Sequence, residues 1–160
     1  MKVNKTDFWD SNYYKNVPLT EKMIETAERE LGIDLPHAFL DLLRVQNGGY
    51  TKGFVFPMTV KTSWSHNHIP LTELFGIVID EESESGHNIM ESDNMIEEWG
   101  LPEKQVLLAG DGHWWITLDY RQGKIPSIRW IDCEKNEDIH ITDSFNDFIN
   151  GLEVEKGFPE

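Results

Sequence analysis

The chain has 160 residues, 39% of them hydrophobic, with six Trp and eight Phe, which supplies one sizeable core and argues against both wholesale disorder and a two-domain enzyme. Fourteen Lys plus Arg against 29 Asp plus Glu give a net charge of −15, a poor match for phosphate backbones and a better one for a basic protein or a cation. A single cysteine, Cys133, rules out an internal disulfide. The mixed charges of the first ten residues and the short apolar runs lead us to expect no secretion signal, no membrane span and a cytoplasmic location.

Thr20 is placed to cap a first helix whose apolar face carries Met23, Ile24, Ala27 and Leu31, with Gly32 ending it. After the corner Ile33-Asp34-Leu35, Pro36 opens a second helix with Phe39, Leu40, Leu42 and Leu43 on its buried side, stopped by Asn47-Gly48-Gly49. The pattern then changes to short apolar runs, 54–56, 69–71 and 75–79, which read as strands. A third helix fits between Ile89 and Trp99, closed by Gly100 and Pro102. From Gln105 the signal is β: a hairpin around Gly110-Asp111-Gly112, then strands over 125–133 and 138–141. Connections this short make the sheet antiparallel. Asp143 or Ser144 caps a last helix bearing Phe145, Phe148, Ile149 and Leu152, and residues 153–160 read as a frayed tail. The expected fold is a single α+β domain over 1–160, with a largely antiparallel bent sheet flanked by two N-terminal helices and one C-terminal helix.

The opening Glu30-Leu31-Gly32, Leu35-Pro36 and Asn47-Gly48-Gly49 resembles the helix-corner-helix start of the SUKH superfamily. That group unites bacterial polymorphic-toxin immunity proteins with fungal cell-wall glucan-synthesis regulators of the Smi/Knr type. Trp99-Gly100-Leu101-Pro102, Leu108-Ala109-Gly110-Asp111-Gly112-His113, Leu118-Asp119-Tyr120-Arg121 and Ser144-Phe145 with Phe148 are similar to the same superfamily in the same order. The resemblance runs from about Leu31 to Leu152, without a recognisable motif between Tyr50 and Glu98. It implies the α+β fold already read from the pattern, and it carries over no catalytic residue. The function it implies is a non-enzymatic cytoplasmic immunity protein that neutralises a cognate toxin domain. A regulatory protein- or ligand-binding module like the fungal members is the alternative.

Charge is concentrated: the interval 80–103 holds nine acidic residues and no Lys or Arg. Glu81, Glu82, Glu84, Glu91, Asp93, Glu97 and Glu98 are therefore the candidate partner-binding carboxylates, suited to steering a basic toxin domain, a nuclease being one such class. A merely solvated surface explains the same residues about as well. In a strand, Trp114, Ile116, Leu118 and Tyr120 share the core face, which leaves Trp115 as the candidate exposed anchor. Helices covering both faces would bury Trp115 instead, and that reading is favoured.

His66 and His68, with His37, His87 or His113 as a third ligand, suggest zinc only superficially, because no ligand spacing is present and exposed loop histidines explain them better. Asp111 and His113 bracket a turn without a nucleophile, and Cys133 lacks any signature of a reactive thiol. No catalytic residue, cofactor or metal is expected.

Overall fold

The computed structural model describes residues 4, 7–12, 14–79, 87–156 and 158. Helix α1 (Glu21–Leu31) starts where Thr20 Oγ1 accepts the Met23 N–H at 3.2 Å and ends at Gly32 in the left-handed conformation. Glu28 then reaches forward to accept the Leu35 N–H at 2.8 Å, which fixes the corner into α2 (His37–Val45). Pro36 stands at the N-cap of α2, where its missing N–H costs nothing. Both helices follow the sequence reading.

Two antiparallel sheets follow, so the expected bent sheet is divided into two. The first has the order β2-β1-β7, with β1 at Gly49–Pro57, β2 at His68–Leu74 and β7 at Glu153–Val154. The second has the order β3-β4-β5-β6, with β3 at Gln105–Gly110, β4 at Trp114–Asp119, β5 at Ser127–Asp132 and β6 at Glu137–Thr142. Between the sheets lies α3 (Ser92–Trp99) in chain order, and α4 (Phe145–Gly151) follows β6, capped by Ser144 Oγ on the Asp147 N–H. The arrangement is α+β, and the buried side chains from Phe8 to Leu152 form one contiguous cluster around Phe39, Trp130, Phe145 and Phe148.

Three local expectations are corrected. The apolar run 75–79 is not a strand of either sheet: it bridges them, with the Phe75 N–H donating to Leu108 O at 2.7 Å. Beyond that bond, and the Ile89 N–H donated to Gly76 O at 3.0 Å, side chains satisfy the backbone of Ile77 and Val78. Asn47 Oδ1 accepts the Ile77 N–H and Asn47 Nδ2 donates to Ile77 O, both at 2.8 Å, while Asn88 pairs with the N–H and C=O of Val78 at 3.0 and 2.8 Å. Ile125 lies outside β5 and is 79% exposed. The expected tail from 153 returns to β1, where Val154 faces Phe54 and Glu153 faces Val55.

Backbones approach very closely where Asn47 acts. A Cβ on Gly76 would lie 2.3 Å from Asn47 O, and one on Gly48 would lie 2.6 Å from Gly76 N. Asn47 is itself buried and also donates to Val17 O at 2.9 Å. Replacing Asn47 by Ala strands the buried Ile77 N–H and C=O, so we expect a stability loss of about 3 kcal/mol or more, at about 1–3 kcal/mol per unsatisfied group. Urea unfolding of N47A checks this through the transition midpoint, and an unshifted midpoint would contradict it.

At the far end of the second sheet, Asp119 is 4% exposed at its side chain and takes hydrogen bonds from Gln105 Nε2 at 2.8 Å and Arg121 Nε at 2.9 Å. Arg121 also reaches Asp138 at 3.0 Å, and Arg129 donates to the same carboxylate at 2.5 Å. Burial by itself raises both aspartates, but the hydrogen bonds from Arg121, joined at Asp138 by Arg129, outweigh it and hold both below the ordinary aspartate value. A depressed folded pKa gives stability that is fully present above the unfolded value of about 3.9 and is lost as pH falls through the folded one. Acid titration of the fold should therefore show a loss of stability below pH of about 4, and that loss should be smaller in Arg121→Gln, which is already weakened at neutral pH.

Candidate functional site

Helix α3 carries the acidic stretch, and two buried polar residues set its position. Asn88 Oδ1 accepts the Met90 N–H at 3.1 Å and starts a 3-10 turn at Ile89–Glu91 that runs straight into the helix. Ser92, fully buried, donates from Oγ to Ile89 O at 2.5 Å and accepts the Leu107 N–H at 2.9 Å. That last bond uses the free edge of β3 and fastens the start of the helix to it. Gly100 in the left-handed conformation closes the helix.

With Ser92 turned inward, Met95 lies four residues from Glu91, three from Glu98 and four from Trp99, helical spacings that put the four along one side. They form one wall of a cleft of about 300 Å³ whose other wall is the β3–β4 turn at Gly110, Asp111 and Gly112. Trp115 is the floor at 3% exposure, and Trp99, 42% exposed, tilts over it with ring centroids 6.1 Å apart. Gly110 is required for this packing, since a Cβ there would sit 2.4 Å from Trp115 Cδ1. Among the described residues, no Lys or Arg lines the cleft. Among the described residues, none of Glu91, Asp93, Glu97 and Glu98 is ion-paired.

His87 borders the cleft and is engaged on its other side. Its ring stacks on Tyr14 at 4.4 Å, and Nδ1 lies 3.6 Å from Glu73 Oε2, which also accepts the Tyr14 hydroxyl at 2.5 Å. Burial, then the hydrogen bond to Glu73, pushes the Tyr14 phenol well above its ordinary value, so it stays a donor at any physiological pH.

The structure brings together Glu91, Glu98 and Trp115 of the sequence candidates. Asp93 points to another side of α3 and lines a larger cavity of about 690 Å³ with Lys104, Arg121 and Lys124, and Glu97 is exposed on the helix. Glu81, Glu82 and Glu84 lie outside the described residues. Trp115 is not an exposed anchor: both faces of β4 are covered, as Thr117 at 0% and Ile116 at 0% also show. The exposed indole is that of Trp99, which the spacing from Glu91 and Met95 would have placed on the same face.

His66 is exposed in the β1–β2 loop, whereas His68 is buried with Nδ1 at 2.8 Å from Asn67 Oδ1 and 3.0 Å from Ser65 Oγ. The expectation of exposed loop histidines is thus corrected at His68. Among the described residues no His, Cys, Asp and Glu cluster with metal-binding geometry. Asp111 caps its own turn, accepting the His113 N–H at 3.0 Å, and His113 pairs with Glu134 at 3.0 Å. Cys133 is half-buried, and burial pushes its thiol above the ordinary value. No helix among the described residues is long and apolar enough to cross a membrane.

Fold and site together define an α+β domain with an acid-rimmed aromatic cleft, an arrangement suited to holding a cation. The sequence matches the SMI1 / KNR4 family (SUKH-1) over residues 18–151, and the chain belongs to that family. No curated protein and no solved structure matches it significantly.

Gly110→Ala should displace Trp115 and destabilise the fold by about 1–3 kcal/mol, the range for overpacking a filled site. Denaturant unfolding with tryptophan emission as the probe checks this. A native emission spectrum together with unchanged stability would show that the turn accommodates the methyl.

Proposed function

We propose that this protein is a non-enzymatic immunity protein that binds a cognate toxin domain with a basic surface in the cytoplasm and covers its active site. The observation that carries the reading is the exposed, unneutralised face of α3 beside an aromatic cleft, in a chain of the SMI1 / KNR4 family. Asp93, Glu97 and Glu98, continued in sequence by Glu81, Glu82 and Glu84, set up a negative field that accelerates encounter with Lys and Arg on the partner. A nuclease toxin fits well, because its substrate-binding face must be basic and an acidic inhibitor competes for it.

Co-expression with each toxin-like domain found encoded next to this gene is the direct test: growth should be rescued from one of them, and undiminished toxicity with all would count against the reading. Kinetics add a second test. Raising salt from 0.01 M to 0.15 M, where the Debye length contracts from about 30 Å to about 8 Å, should slow association far more than it changes dissociation. Replacing Glu81, Glu82 and Glu84 together by Gln should mimic that slowing.

The larger cavity favours a second reading, a regulatory module that holds a small ligand. It combines apolar Ile33 and Val106 with the Tyr120 ring and the cations Lys104, Arg121 and Lys124. A metabolite retained by protein purified from its native host, with no rescue of any neighbouring toxin, would favour this reading over the first.

A further inference from the structure

We infer that the cleft between Trp99 and the β3–β4 turn is a socket for a single arginine side chain of the protein partner. This inference deepens the proposed immunity function and rests on it for the identity of the partner. Trp115, buried, forms the floor and Trp99, exposed, part of one wall, and the rim carries Glu91, Glu98 and Asp111 with no Lys or Arg among the described lining residues. A guanidinium matches both features at once. Its planar face stacks on an indole, and its edge presents donors to carboxylates, whereas an ammonium is a compact, more strongly hydrated point charge. At about 300 Å³ the cleft is at the lower end of ligand pockets, which suits one inserted side chain better than a cofactor.

The other exposed indole supplies the contrast. Trp64 is 49% exposed and packs edge-on against Trp114 at 5.7 Å, also beside carboxylates. Those carboxylates are already engaged: Asp132 accepts from Ser63 Oγ and from the Glu134 and Lys135 N–H groups, and Glu137 accepts from Trp130 Nε1 and the Ser63 N–H. At the Trp99 cleft, Glu91 takes one hydrogen bond from the Asn94 amide, and Asp111 uses Oδ1 on its own turn. Exposed Glu98 takes no hydrogen bond from any described residue. Carboxylates beside Trp64 stabilise the fold, and those beside Trp99 await a donor.

The test uses the full chain and argininamide, lysinamide and citrullinamide at matched ionic strength, read by the indole N–H resonances in NMR. Argininamide should shift the Trp99 and Trp115 signals saturably in the millimolar range, the level expected of about 4 kcal/mol from one stacked, charge-paired side chain. Lysinamide and the neutral citrullinamide should bind at least severalfold more weakly. Trp99→Ala should abolish the Trp115 shift. Glu98→Gln, on an exposed position that leaves the fold intact, should weaken binding severalfold. Equal shifts with lysinamide, no shift at Trp99, or full binding by Glu98→Gln would each overturn the socket. With a neutralised toxin in hand, Trp99→Ala should speed dissociation about tenfold or more, as loss of a hot-spot tryptophan does, and Trp64→Ala should not. Rescue with unchanged dissociation in Trp99→Ala would sink the socket while sparing the immunity function. Argininamide binding by a chain that rescues no toxin would support the socket and remove the immunity function.

Discussion

The apolar segment 75–78 crosses from one sheet to the other, touching β3 through the Phe75 N–H and then leaving both ladders, and everything around it depends on how its backbone is satisfied there. Two asparagine amides imitate neighbouring strands, each offering one acceptor and one or more donors at the right separation: Asn47 to Ile77 and Asn88 to Val78. Because Asn47 sits at the exit of α2, this pairing ties the helical opening of the chain to the junction of the sheets. Because Asn88 also caps the turn entering α3, the same device sets where the acidic helix begins. The absence of side chains at Gly48 and Gly76 lets the backbones meet. A buried polar network of this kind is stabilising only when complete, which makes the junction sensitive to single substitutions.

The distribution of charge follows from which carboxylates the fold uses. At the far end of the second sheet, Asp119 and Asp138 absorb Arg121 and Arg129 into one network, and Arg44 is held by Glu21 and Asp41 on the helical side. With 14 Lys and Arg for 29 acids, cations committed there are lacking elsewhere, and no Lys or Arg falls within 80–103. The α3 face thus remains unneutralised because of composition and because the fold fixes three of its four arginines elsewhere. A fully exposed ion pair contributes little stability by itself, so leaving the α3 face unpaired costs the fold little.

Much of the fold is legible in sequence because the decisive signals are local. Thr20, Gly32, Pro36, Gly100 and Ser144 each act on a backbone within four residues, and the structure uses each one at the helix end it marks. The run 75–79 misleads because apolar β-like composition reports burial and not a ladder partner, and the partners are side chains 10 and 30 residues away. Trp115 illustrates the same limit: alternation along β4 assigns two faces correctly, but whether the second is covered depends on α3, placed by Ser92 from outside the strand. The short return of Glu153 and Val154 to β1 carries no periodicity at all, since two residues cannot show one. The candidate site was half legible. Clustering in sequence marked Glu91, Asp93, Glu97 and Glu98, while their division between two sides of α3 and the role of Trp99 required the turn at Gly110 to be brought opposite the helix.

Under the proposed function, that division gives the two kinds of residue different tasks. Carboxylates spread along an exposed helix act at a distance, through a field that salt screens, and they govern how often a basic partner arrives. A tryptophan tilted over a buried one acts only at contact, by excluding water from whatever enters and by strengthening the carboxylates at its rim through a lower local dielectric. Steering without the cleft would give fast encounters with any basic surface and little selectivity, including the many basic proteins of a cell. A cleft without the field would be selective but slow to fill. In the proposed function, placing Glu91 and Glu98 on the cleft side of α3, with Asp93 and Glu97 elsewhere on the same helix, would let one short element do both, and the two effects are separable because one appears in association and the other in dissociation.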